Sequence, residues 1–389
     1  MASKVFFADA RQARLVPEET LPMKLDRILD ALNLRERVKD ETVAIKMHLG
    51  GNVGYSTVHP VFVRRVVKAI KDGGGRPFVT DHAWSALTAA ERGYTAETLG
   101  CPIFPVAGPD EKYFYTFKRP YKNIEEWGMG GMLHDATFLV DLAHVKGHPS
   151  CGFGGVFKNL ALGSFIQPTR SAQHDTMHYE KYWFKELCPD PQTRQAIIAS
   201  CPFGALVADK DDPEELHLHY ENCNQCGRCL KVAPEGALKI NPANFAAFQE
   251  ANAIGVSLVL STFKPGKSVF INIATQITPV CDCFGFTSLP ILPDVGIFAS
   301  DDIVAVEQAT LDMLARHRLI EEHVPASMEV HTREGHPFQW LHGPYKNPYL
   351  VVQYGEQLGL GTRAYELVDV MPVEKIERAP LGYIPARAL

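Results

Sequence analysis

The run Cys223-Asn-Gln-Cys226-Gly-Arg-Cys229 places three thiols at two-residue intervals within a chain of 389 residues. No other feature restricts the fold so tightly. Three thiolates at this interval close around the corners of one iron–sulfur group, and Gly227 lets the backbone turn closely about it. The nine cysteines are too few and too unevenly spaced for a disulfide framework, so the cluster of them points to metal.

A fourth thiolate is required, and the flanking sequence supplies one. Two-cluster ferredoxins continue the run as C-x-x-C-x-x-C-x-x-x-C-P, the last cysteine serving the other cluster. Here that position is Ala233, followed by Pro234. Upstream, Cys201-Pro202 is intact, yet the three positions that should precede it hold Pro191, Arg194 and Ile197. Pro202-Phe-Gly-Ala-Leu206 echoes Pro234-Glu-Gly-Ala-Leu238, so the two halves read as a repeat. The surviving cysteines are the four that serve one cluster: Cys201, Cys223, Cys226 and Cys229 are expected to hold a single 4Fe–4S group. The same thiolates suit zinc, but zinc leaves the repeat unexplained.

The remainder reads as α/β. Val43 to Met47 is a short apolar strand, Phe62, Val63, Val66, Val67 and Ile70 recur at helical spacing, and Gly73 to Gly75 stop that helix before a strand at Pro77 to Thr80. Such a β-α-β unit implies a mostly parallel sheet covered by helices. Further strands are expected at Thr137 to Leu142, Ser268 to Ala274 and Gly296 to Ala299, with a helix from Ile303 to Leu314 capped by Asp301 or Asp302. Between them the texture changes to turns and cysteines. The expected organisation is an α/β domain over residues 1–189 and 242–389, interrupted by a ferredoxin-like α+β module at 190–241. The segment beyond Val324 is expected to wrap the surface of the main domain.

In an open parallel sheet the functional crevice lies beyond the carboxyl ends of the strands. Each strand proposed above ends in polar residues: His48; Asp81-His82; His144, Lys146 and His148; and Cys281, Asp282 and Cys283. His144, Lys146, His148 and Cys283 are the candidate catalytic group. Lys146 would neutralise an anionic substrate, the histidines would move protons or bind metal, and Cys283 would ligate or reduce. His48, His82, Cys281 and Asp282 form a possible second metal or cofactor site. Structural alternatives stand beside each: loop histidines bonded to backbone, small buried cysteines, and glycines at 152–155 that serve packing and not ligand approach. Lys158 is a candidate second cation.

The motifs His144-Val-Lys-Gly-His148, Gly152-Phe-Gly-Gly155, Lys158-Asn159, Thr278-Pro279, Cys281-Asp-Cys283, Pro290 to Gly296 and Gly359 to Tyr365 together resemble the family catalogued as domain of unknown function 362, in members with a built-in ferredoxin module. The resemblance spans about Val43 to Val368 and implies iron–sulfur binding with a redox role, without naming a substrate. Three functions compete: an oxidoreductase passing single electrons to a substrate or second cofactor in the cleft, an electron-transfer protein or reductive activator serving a partner, and a non-redox cleft enzyme with a structural cluster. No nicotinamide or flavin fingerprint is present. The net charge of −6 argues against nucleic acid, and the lack of a long apolar run argues against a membrane partner and for a cytoplasmic protein.

Overall fold

Five strands run parallel because the connections between them carry helices. The computed structural model describes residues 2–220, 222, 223, 225–328, 330 and 332–373. Its main sheet has eight strands: β1 (Ser3–Asp9), β2 (Thr42–Lys46), β3 (Arg76–Asp81), β4 (Ile103–Pro105), β5 (Phe138–His144), β6 (Ser268–Ala274), β7 (Gly296–Ser300) and β8 (Tyr365–Asp369). The order is β8-β1-β7-β6-β5-β2-β3-β4. β6, β5, β2, β3 and β4 are mutually parallel, β7 is antiparallel to both neighbours, and β1 is parallel to β8. The sheet is therefore mixed and mostly parallel.

Alternation along each strand sends side chains to two separate cores. Val43, Ile45, Phe138, Val140, Leu142 and Ile271 pack against the helices Leu21–Ala31 and Pro60–Asp72. Ala44, Leu139, Ala143 and Phe270 pack instead against the helices Val156–Gly163, Asn244–Leu260 and Ile303–Leu314. Both faces are thus covered. The chain carries its own start signals for these helices: the His59 ring accepts from the Val61 amide, and Asp302 accepts from the Ala305 amide at 2.9 Å.

A third core lies outside the sheet. Ile197, Leu206, Leu218, Cys223 and Cys229 pack with Trp183, Phe245 and Phe248, residues on either side of the 190–241 segment. Trp183 pairs with Leu238 across an antiparallel bridge, and the Trp183 indole donates to the Glu214 carbonyl at 2.8 Å. The cysteine-bearing segment shares its core with the chain on both sides. Within it, the helices Pro191–Ala199 and Arg228–Val232 lead into Cys201-Pro202 and Ala233-Pro234, and the glycines that follow, Gly204 and Gly236, both adopt positive φ. The sequence echo is thus repeated in backbone conformation.

The segment beyond Val324 packs against the main domain. It supplies a half-buried helix, Tyr349–Gln357, and the edge strand β8, before residues 374–389, which lie outside those described. Among the described residues no helix is long and apolar enough to cross a membrane.

Candidate functional site

The carboxyl ends of adjacent parallel strands deliver charged side chains to one place. β2 ends at Lys46 and β3 at Asp81, and the Lys46 ammonium lies 3.1 Å from the Asp81 carboxylate with both side chains at most 1 % exposed. Asp81 also accepts from His48 Nδ1 at 2.8 Å and from the Leu49 amide at 3.0 Å. Burial alone would raise its pKa, but Lys46 and the neighbouring histidines hold it well below the usual carboxylate range. Burial opposes the His48 imidazolium as well, yet the Asp81 carboxylate outweighs it and the pKa is raised. Lys46 additionally donates to Asn159 Oδ1 at 2.8 Å, and Asn159 donates to Asp141, whose carboxyl burial raises well above its ordinary value.

Opposite this network sits the thiol pair. One turn of 3-10 helix, Asp282–Phe284, follows Cys281 and brings both sulfurs toward Lys158, whose ammonium lies 3.2 Å from Cys281 Sγ and 3.9 Å from Cys283 Sγ. Burial works against a Cys281 thiolate, but hydrogen bonding from Cys283 and the charges of Lys158 and Lys146 draw its pKa well below that of a free thiol. Cys283, giving its proton to that bond, is held high. Asp282 turns the other way. It accepts from His144 Nδ1 at 2.9 Å, pairs with Lys146 at 3.3 Å and meets Ser56 Oγ at 3.2 Å.

His144 and His148, both expected to act on a ligand, have different roles. The second nitrogen of His144 faces the carbonyls of Thr275 and Gln276 at 3.0 and 3.2 Å, so both ring nitrogens are used to anchor the 275–282 loop to the sheet. His148 Nδ1 accepts from the Ser150 amide at 3.1 Å, and burial lowers its pKa to about 4, which keeps the ring neutral. Three glycines here are tied to packing: a side chain on Gly152 would strike the Lys346 carbonyl, on Gly147 the Pro279 carbonyl, and on Gly155 the Glu307 carboxylate, whereas one on Gly154 would lie at ordinary contact distance from Lys146 and Lys158.

Glu307 fixes the helix that carries Lys158 and Asn159. It accepts from the amides of Val156 and Phe157, each at 3.2 Å, and from Asn272 at 2.8 Å. Burial nevertheless raises its pKa to about 7. A folded value above the unfolded one means that this group's stabilisation is complete below about pH 4.5 and fades as pH rises through 7. The stability of the wild type relative to Glu307→Gln is therefore expected to fall by about 3 kcal/mol over that window. Urea unfolding at a series of pH values measures it, and a pH-independent difference would contradict it.

The cleft is a cavity of about 360 Å3 whose lining includes Lys46, His48, His82, Lys146, Lys158 and Cys283. A second cavity of about 490 Å3 adjoins it, sharing His174, Asp175 and Cys283, and adds His148, Tyr182 and Leu218. Leu218 in turn lines a third cavity, on which Cys201, Cys223, Cys226 and Cys229 all converge. Phe248 bridges the same distance from another side, belonging to the third core while stacking on His174 at 4.6 Å between ring centres.

Of the residues singled out in the sequence, His48, His82, Lys146 and Cys283 line the cleft, His148 lines the next cavity, and Cys281, Asp282 and His144 stand behind the wall. His82 also caps the short helix Ala83–Leu87. Sequence reasoning passed over Lys46, Arg170 and His174. Gln167, Arg170, Ser171 and His174 all line the cleft at helical spacing on one face of Gln167–Asp175, and that spacing was the available signal.

Comparison with curated proteins yields no match. The family model described as domain of unknown function (DUF362) matches residues 43–312, a span that starts at β2, passes through both the cysteine segment and the thiol turn, and ends within the helix bearing Glu307. With more than half its length matched, and with every cleft residue named above inside the matched span, the chain belongs to the DUF362 family.

Proposed function

We propose that the chain is an iron–sulfur oxidoreductase in which Cys201, Cys223, Cys226 and Cys229 hold one 4Fe–4S cluster and single electrons are used in the adjoining cleft. When bound, such a cluster supplies one-electron transfer. The donor set fits the group. Cys201, Cys223, Cys226 and Cys229 line one small cavity, and burial together with the three neighbouring cysteines raises the Cys229 pKa to about 11. A cationic iron core would offset that crowding of negative charge. The observation that carries the reading is Leu218, one side chain that walls both the cysteine cavity and the cavity opening into the cleft.

The cleft's own residues are suited to holding a substrate in place. Lys146 and Lys158 set positive charge against the wall, the neutral His148 ring in the adjoining cavity offers a proton donor or acceptor, and the Lys46–Asp81–Asn159 network keeps the floor rigid. Cys226 is exposed, which provides a face for a redox partner. The same exposure supports a second reading, an electron-transfer protein that serves a separate enzyme.

Anaerobically isolated protein is expected to contain about four iron and four sulfide per chain. Close to eight iron, or stoichiometric zinc without sulfide, would remove the reading. Lys158→Ala divides the two functions: the oxidoreductase should keep its iron and lose turnover or retained ligand, whereas a carrier should reduce its partner as before.

A further inference from the structure

The ring of His48 is oriented as a metal-binding imidazole is. Its Nδ1 lies 2.8 Å from the Asp81 carboxylate, while Nε2 has no hydrogen-bond partner in a residue only 9 % exposed. A carboxylate on one ring nitrogen fixes the proton there and leaves the lone pair on the other, the arrangement that orients ligating histidines. Asp81 is itself immobilised by Leu49 and Lys46. Two sulfurs accompany that lone pair: one donor atom each from His48, Cys281 and Cys283 lies within 4.8 Å of the other two.

We propose that His48, Cys281 and Cys283 form a mononuclear site for a zinc-class divalent cation. One nitrogen and two sulfurs are a borderline-soft donor set of the kind zinc takes. A tetrahedral ion with sulfur at ~2.3 Å and nitrogen at ~2.0 Å spaces its ligands by roughly 3.3–3.8 Å. Small side-chain rotations close the present separations to that range, and Cys283, which is exposed, has room to make them. Three protein ligands leave one position of the tetrahedron, and His48 and Cys283 both border the cleft, so that position opens onto it. A site so built binds water or a ligand atom and is not a structural plug. Lys158, 3.2 Å from the Cys281 sulfur, remains a hydrogen-bond donor to the ligated thiolate.

A neighbouring set, His48, Asp81 and His82, also has its donor atoms within 4.8 Å, but its groups are already employed. Asp81 serves Lys46, His48 and Leu49, while the His82 nitrogens face the Ser85 amide and hydroxyl at 3.5 and 3.0 Å. The thiol set is the better ligand cage. None of its members belongs to the four cysteines assigned above, so either proposal can fail without the other.

The test uses the full chain, purified anaerobically, treated with a chelator and given one equivalent of Zn2+, with X-ray absorption recorded at the zinc edge, where iron is silent. The expected shell is two sulfurs at ~2.3 Å with two light atoms at ~2.0 Å. Cys283→Ser should weaken Zn2+ binding by more than about tenfold, since even outer partners of a metal site carry that much, and should leave the thermal midpoint unchanged. His48→Gln should weaken it likewise and remove a light atom from the shell. Four sulfurs at the zinc edge would place the ion on the other cysteines and overturn the site. So would a shell of light atoms alone, substoichiometric binding, or unchanged affinity in both variants.

Discussion

Cys229→Ala is expected to leave anaerobic purification with its iron and sulfide essentially gone and with the absorbance of the cluster lost. Cys229 lies in the third core and lines one cavity together with the other three cysteines of the set. Removing one of four thiolates from a cube leaves an iron without its protein ligand. Cys188→Ala provides the contrast. Cys188 is equally buried in the same core but does not line that cavity, and its loss should leave the iron content near wild type. Iron and labile sulfide assays on both variants, with circular dichroism to follow the sheet, decide the matter. A Cys229→Ala protein that retains four iron per chain would refute the assignment.

The largest effect on stability is expected at Lys46. Its ammonium is 1 % exposed and is the buried counter-charge of Asp81, while Gly163 leaves the space through which it passes. Lys46→Met keeps the length and most of the volume but strands the carboxylate in the interior. Breaking a buried pair from one side costs about 3–5 kcal/mol, because the remaining charge has lost its water and its partner together. Urea denaturation should show a midpoint lowered accordingly with an unchanged slope. A loss below about 1 kcal/mol, the worth of an exposed pair, would mean that His48 and the Leu49 amide hold Asp81 unaided.

Much of the sheet was legible because its strands and helices obey local rules. β6 and the helix Ile303–Leu314 fall on their expected bounds, while β2, β3, β5 and β7 shift by one or two residues, as strand ends read from apolar runs commonly do. The convergence of strand ends on one cleft followed from parallel topology. What was hidden depended on contacts between distant segments. The cysteines at 281 and 283 are brought together by a 3-10 turn, which also points Asp282 into the sheet. The glycines at 152–155 were equally suited to ligand approach and to packing, and only the positions of Lys346 and Glu307 tie Gly152 and Gly155 to packing. The carbonyls of Thr275 and Gln276 that engage His144 are 131 and 132 residues away and leave no local trace beside it. The core of the cysteine segment likewise draws on Trp183 and Phe248, which lie outside the 190–241 bounds.

The position of β1 in the sheet bears on how the chain is assembled as it leaves the ribosome. β1 lies between β7 and β8, so Phe6 pairs with Ala299 and Val368. Every sheet partner of this early strand is therefore translated about 290 to 360 residues later. The parallel block β2-β3-β5 can form long before, since it needs nothing beyond His144. Throughout that interval the apolar stretch Val5-Phe-Phe-Ala8 has neither edge covered. Synthesis at about 5–20 residues per second makes the wait some tens of seconds, in which such a segment is prone to pair with another chain. Ribosome-bound lengths ending before residue 296 are thus the ones most in need of a chaperone.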